Sequence, residues 1–136
     1  MTMNSANSPI VPKHKSDQEA CDHLIIAPDA EVLAHIDPLL ACLQDINWPI
    51  AAPVSDRLAA LGIELAHPIM KILNGSDEIW KYWIISHLLY QIKDDVYQAI
   101  YLVLRRINKY PTQAERDEEV WDAVSSLLLA RPRSGR

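Results

Sequence analysis

The side chains in this chain that could do acid–base or metal chemistry are five histidines, two cysteines and 18 carboxylates. His14, His23, His35, His67 and His87 show no HxxxH, HxxE or CxxC spacing, so no helix or turn offers two ligands to one ion, and no metal is expected. His87 lies four residues after Trp83 on an otherwise apolar face and reads as a core or boundary histidine. Cys21 and Cys42 sit in apolar helical contexts and read as reduced core thiols. No activated serine and no cysteine–histidine signature is recognisable. With three glycines in all, a backbone cradle for phosphate is not expected either. The sequence therefore assigns no catalytic residue and no cofactor.

The carboxylates are more informative. Glu115, Asp117, Glu118, Glu119 and Asp122 form the densest charge cluster. Glu115 and Asp117 fall in a first helical turn, where the helix dipole favours anions. Glu119 is four after Glu115, and Asp122 is four after Glu118. Like charges at that spacing cost a few tenths of a kcal/mol each, partly offset by pairing Arg116 with Glu119. The unexplained remainder reads as a solvated face or, as the alternative, an acidic binding face. Asp45, Asn47 and Trp48 form a corner between helices that suits recognition, or a local turn in which Trp48 plugs a gap. Asp77 and Lys81 have the favourable order for a helix ion pair, worth about 0.2–0.5 kcal/mol, and Asp77, Glu78 and Lys81 are expected to be exposed. The candidate partner-binding residues are thus Asp45, Asn47, Trp48, Asp77, Glu78, Lys81, Glu115, Glu118, Glu119 and Asp122.

Helices must position these residues. The chain has 136 residues, 49% of them hydrophobic, and its nine prolines fall between apolar runs. That predicts one domain of short helices with tight connections, and no run alternates as a strand would. Residues 1–12 are expected to be a disordered tail, 13–130 the helical domain, and 131–136 a solvated basic tail carrying Arg131, Arg133 and Arg136. Ser16 with Glu19 reads as a capping box for the first helix, and Thr112 with Glu115 as one for the last. Asp37 and Pro38 read as the cap and first residue of a third helix. The central prediction is a helix over 77–92. Trp80, Trp83, Ile84 and Leu88 line one face, and Ile79, Tyr82, Ile85 and Leu89 supply a second apolar strip. A helix apolar on most of its circumference is expected between neighbours, with both tryptophans in the core.

The later helices read as three pairs, 38–61, 68–92 and 94–129, whose starts lie about 30 residues apart, the spacing of stacked αα-hairpins. The expected architecture is all-α, about eight helices in a short HEAT-like solenoid, with a compact helical bundle as the alternative.

Several segments carry a resemblance. Pro12-Lys13-His14-Lys15 is followed by Leu43-Gln44-Asp45-Ile46-Asn47-Trp48-Pro49, by Trp80-Lys81-Tyr82-Trp83, and by Arg106-Ile107 with Pro111-Thr112-Gln113-Ala114-Glu115. The combination resembles an uncharacterised bacterial family of helical HEAT-like domains, over residues 12–128. That family tends to have tryptophan two residues before the glutamine, where this chain has Cys42. The resemblance implies a fold and no reaction or ligand.

The formal charge is −5, from 13 basic and 18 acidic residues, and between Lys13 and Ala130 the basic residues number only 10 against the same 18 acids. An acidic body repels nucleic-acid phosphates and anionic lipid and attracts basic partners. Neither a signal-peptide pattern nor a membrane-spanning run is present, so the expected setting is cytoplasmic. The expected function is a non-catalytic protein-binding module with an acidic surface, such as an immunity or antitoxin protein that occludes a basic toxin. Two alternatives stand beside it. An enzyme would need carboxylates such as Asp45 and Asp77 to meet near His87. A nucleic-acid binder would need Arg57, Lys81, Arg105, Arg106 and Lys109 to converge in one groove.

Overall fold

A computed structural model describes residues 8–132. Among these residues nine α-helices and no strand occur: α1 (Gln18–Ile26), α2 (Asp29–Ala34), α3 (Ile36–Ala41), α4 (Ala51–Ala59), α5 (Ala66–Leu73), α6 (Glu78–Ser86), α7 (Asp94–Lys109), α8 (Gln113–Asp117) and α9 (Val120–Ala130). Two 3-10 turns, Ile63–Leu65 and Leu88–Tyr90, lead into α5 and follow α6. None of these helices is long and apolar enough to cross a membrane.

The helix ends follow side-chain chemistry. At α1 the cap is Asp17 rather than Ser16: its carboxylate accepts from the Ala20 amide at 3.2 Å and the Lys13 amide at 2.9 Å. A charged acceptor makes the stronger cap, and those two amides hold the Asp17 carboxyl below its ordinary range. Helix α3 begins one residue before Asp37, so Asp37 and Pro38 lie inside its first turn. Proline is tolerated there because the first-turn amides have no intrahelical partner. Asp77 caps α6, accepting from the Trp80 amide at 3.1 Å. The Thr112–Glu115 capping box is also formed.

The helix over 77–92 is shorter than its apolar pattern suggests. It ends at Ser86, and the rest of the run forms the 3-10 turn that buries Leu88 and Leu89. The last helix is split into α8 and α9 by Glu119, whose φ of 65° is the left-handed exception among the non-glycine residues described. Helix α7 carries an apolar stripe at three-four spacing, and its members Val96, Tyr97, Ile100, Leu104 and Ile107 are all buried.

Helix α6 packs chiefly on α9 and α5 on α7, while α7 also packs on α9 and α1 on α4. The core starts earlier than the sequence suggests, because Ser8, Ile10 and Val11 are buried. The tail expected over residues 1–12 is therefore ordered from Ser8 on, and residues 1–7 lie outside the described ones. Arg131 also departs from expectation. Its guanidinium donates to the carbonyls of Leu89 and Ile92 and to Asp94, and lies 4.5 Å from the Tyr97 ring centroid. Tyr97 donates its hydroxyl proton to the Arg131 carbonyl. What reads as a solvated tail thus ties the end of α9 to the start of α7. Arg133 and Arg136 lie outside the described residues.

Candidate functional site

Helix α6 divides the predicted site residues into two sets. On its inner side, Lys81 is 2% exposed and Glu115 is fully buried. The Lys81 ammonium lies 3.0 Å from Glu115 Oε2 and 3.1 Å from Glu78 Oε1. Arg106, reaching from α7, grips the same Glu115 carboxylate in two places, at 2.6 and 2.9 Å. The Thr112 amide adds a bond to Glu115 Oε1 at 2.9 Å. Burial alone would push the Glu115 carboxyl up. The Arg106, Thr112 and Lys81 donors outweigh that and hold it at about 2.

This cluster overturns three expectations. Lys81 and Glu115 are interior groups, not surface ones, and Glu78 turns inward to the Lys81 ammonium, its side chain only 11% exposed. Lys81 pairs with Glu78 and Glu115 rather than with Asp77, whose carboxylate is occupied in capping α6. The physical reason lies in tertiary partners. A capping glutamate turned back over its own helix meets cations from two other helices. Arg106 is the member that sequence spacing could not have supplied, since it stands nine residues before Glu115.

The outer side of α6 is uncovered. Ile79 is 57% exposed, Tyr82 and Trp83 are half-buried, and Tyr90 beyond the helix is 42% exposed. Neither tryptophan is a fully buried core residue. The Trp80 indole N–H donates to the Leu40 carbonyl at 3.1 Å, bridging α6 to α3. The Trp83 ring meets Tyr82 edge-on at 5.0 Å and His87 at 5.7 Å.

Opposite this apolar strip stands the α8–α9 corner. One depression is lined by Ile79, Tyr82, Trp83, Glu118 and Glu119. It continues past Tyr82 toward Tyr90, with Glu119 and Asp122 on the far wall, and in the other direction past Ile79 toward Asp77 and Glu78. Together these form one groove with an aromatic floor and carboxylates along it, and no lysine or arginine lines it. Glu118, Glu119 and Asp122 are exposed. None of them is in an ion pair among the described residues. The pairing expected between Arg116 and Glu119 is absent, because Arg116 stacks 5.4 Å from the Trp121 ring centroid instead.

Asp45, Asn47 and Trp48 belong elsewhere. The Asp45 carboxylate accepts from the Asn47 amide at 2.9 Å, which is the local turn. Trp48 lines a separate depression with Lys13, His14 and Lys15, so its surroundings are basic. A third depression, mostly apolar, lies between α3, α5 and α6 and is lined by Leu40, Ile72, Asp77 and Trp80 among others. None of these depressions is lined by Asp45 together with Asp77 or His87. Lys81 and Arg106 do converge, but on Glu115, while Arg57 is engaged with Asp29 and the Ala27 carbonyl.

The two cysteines are buried free thiols. Burial pushes Cys42 up to about 11, so it is a thiol and a poor nucleophile at neutral pH. Among the described residues no group of three His, Cys, Asp or Glu side chains is placed to hold a metal ion.

Fold and site define an all-helical domain with one internal ion cluster and one acidic, aromatic groove. Over residues 10–128 the chain matches the family described as a domain of unknown function (DUF5071), and it belongs to that family. No curated protein matches it.

Proposed function

We propose that this domain is a non-catalytic protein-binding module that engages a basic partner through the acidic side formed by α6 and the α8–α9 corner. The observation that carries the reading is the division of charge. Lys81 and Arg106 are used internally on Glu115, whereas Glu118, Glu119 and Asp122 face solvent without an ion pair among the described residues. Unpaired charge of one sign on one side steers oppositely charged proteins and speeds their association, an effect that weakens with salt. An immunity or antitoxin protein that occludes a basic toxin in a reducing, cytoplasmic bacterial setting is the version we favour. The side-by-side packing of α5 on α7 and α6 on α9 supports a stacked-hairpin, HEAT-like architecture, which offers an extended face to such a partner.

Affinity capture from the source cells tests this. The wild-type chain is expected to recover one stoichiometric basic protein, and the Glu118→Lys/Glu119→Lys/Asp122→Lys variant to lose it. Recovery of no stoichiometric partner, or equal recovery by both chains, overturns the reading.

A further inference from the structure

Resting on that reading, we propose that the groove between α6 and the α8–α9 corner takes an extended, arginine-bearing segment of the partner, with a guanidinium seated over Tyr82 and Trp83 and against Glu118 and Glu119.

Three features of the groove select this occupant. The first is its floor. Tyr82 and Trp83, whose rings stand edge to face with centroids 5.0 Å apart and an interplanar angle of 73°, both line the same depression. An aromatic face attracts a cation, arginine more often than lysine, because the flat and weakly hydrated guanidinium also stacks. The second is the wall. Glu118 and Glu119 line the same depression as the two rings, with no cation of their own to neutralise them. A guanidinium can bond a carboxylate through two parallel N–H groups while its plane lies on a ring, which an ammonium cannot do. The third is length. The depression runs on past Ile79 to Asp77 and past Tyr82 to Tyr90, so a strip of chain fits rather than one isolated cation.

The backbone at Glu119 agrees with this placement. Its φ of 65° puts it in the left-handed region at the residue following the C-cap of α8, where glycine is the usual choice. A glutamate there is tolerated at a conformational cost, and its side chain lines both the central and the Tyr90 portions of the groove.

The test is an amide and indole NMR titration of the full chain with an acetylated, amidated hexa-arginine peptide, run beside hexa-lysine and hexa-glutamate at low and at physiological salt. The expected result is that hexa-arginine shifts the Trp83 indole signal and the amides of Ile79, Tyr82, Glu118 and Glu119, and that hexa-lysine binds more weakly. Hexa-glutamate is expected to shift none of them. The Glu118→Gln/Glu119→Gln variant is expected to lose about tenfold in hexa-arginine affinity, as befits loss of charge-assisted bonds. Both residues are exposed, so this variant should keep its melting temperature, which confirms that the loss is local. Trp83→Leu should also weaken hexa-arginine and narrow its advantage over hexa-lysine. Shifts confined to other acidic surfaces, or equal affinity in the double glutamine variant, overturn the groove assignment. A partner captured at stoichiometry whose binding leaves the groove signals unmoved does the same while the protein-binding reading stands. If no partner is captured but hexa-arginine behaves as described, the groove's selectivity for guanidinium stands, while its occupation by a partner's segment falls with the wider reading.

Discussion

Glu115 and Glu118 are one helical turn apart in the same short stretch of chain, and their fates are opposite. Glu115 is fully buried and held by Arg106, Lys81 and the Thr112 amide. Glu118 and its neighbour Glu119 are exposed and without an ion pair among the described residues. Residue type does not separate them; what lies across from each does. Helices α6 and α7 bring cations to Glu115, whereas α6 brings Ile79, Tyr82, Trp83 and a further carboxylate, Glu78, but no cation to the depressions that Glu118 and Glu119 line. A carboxylate among cations is a fastening between helices, whereas one beside uncovered rings remains available to something outside the chain.

The largest expected effect follows from the fastening. Truncating one member of a buried ion cluster strands the others, at a cost of about 3–5 kcal/mol. Glu115→Ala should fall in that range, since it leaves Lys81 facing Glu78 alone and removes the capping box of α8 as well. Lys81→Met should cost less, about 1–3 kcal/mol, because Arg106 still satisfies Glu115 and methionine fills similar space. Urea denaturation measures both. If Glu115→Ala proves no more costly than Glu118→Ala, the distinction between the two glutamates collapses.

Acid titration sharpens the same contrast. Glu115 is held at about 2 against an ordinary 4.5, so its folded value is depressed. The unfolded chain takes up this proton first as pH falls. The stabilisation is therefore complete above pH 4.5 and is lost progressively between there and about pH 2. Melting temperature plotted against pH should drop through this window, and Glu115→Gln should flatten that part of the drop.

The contrast also shows how far the sequence could be read. The all-helical class, the buried stripe of α7, the Asp77 cap and the Thr112–Glu115 capping box are local patterns, and local geometry realises them. The misplacements are tertiary. Lys81 at i+4 from Asp77 looks like a surface brace, yet the more buried partner 34 residues away wins it. Ile79, Tyr82 and Trp83 have core-like character, and an apolar pattern cannot say which side of a helix remains uncovered. Trp48 reads as part of a recognition corner with Asp45 and Asn47, and what spacing does not show is that the fold brings Lys13 and Lys15 beside it. The groove was half legible: Glu118, Glu119 and Asp122 are foreseeable as surface acids, and their aromatic floor is not, because it depends on how α9 crosses α6.

The smallest expected effect concerns Glu119 and separates stability from binding most directly. In the left-handed region a side chain with a Cβ atom is disfavoured by roughly 1–2 kcal/mol relative to its usual conformations, and glycine is not. Glycine is also more flexible in the unfolded chain, which offsets part of the gain. Glu119→Gly should therefore stabilise the fold slightly, by about 0.5–1 kcal/mol, with a matching rise in melting temperature. An exposed carboxylate that served only as a solvated charge could be removed at no further consequence. A carboxylate that lines a binding groove could not, and the variant should be more stable while holding hexa-arginine less tightly. Greater stability with undiminished binding would place Glu119 with the solvated charges and leave Glu118 as the acid that faces the rings.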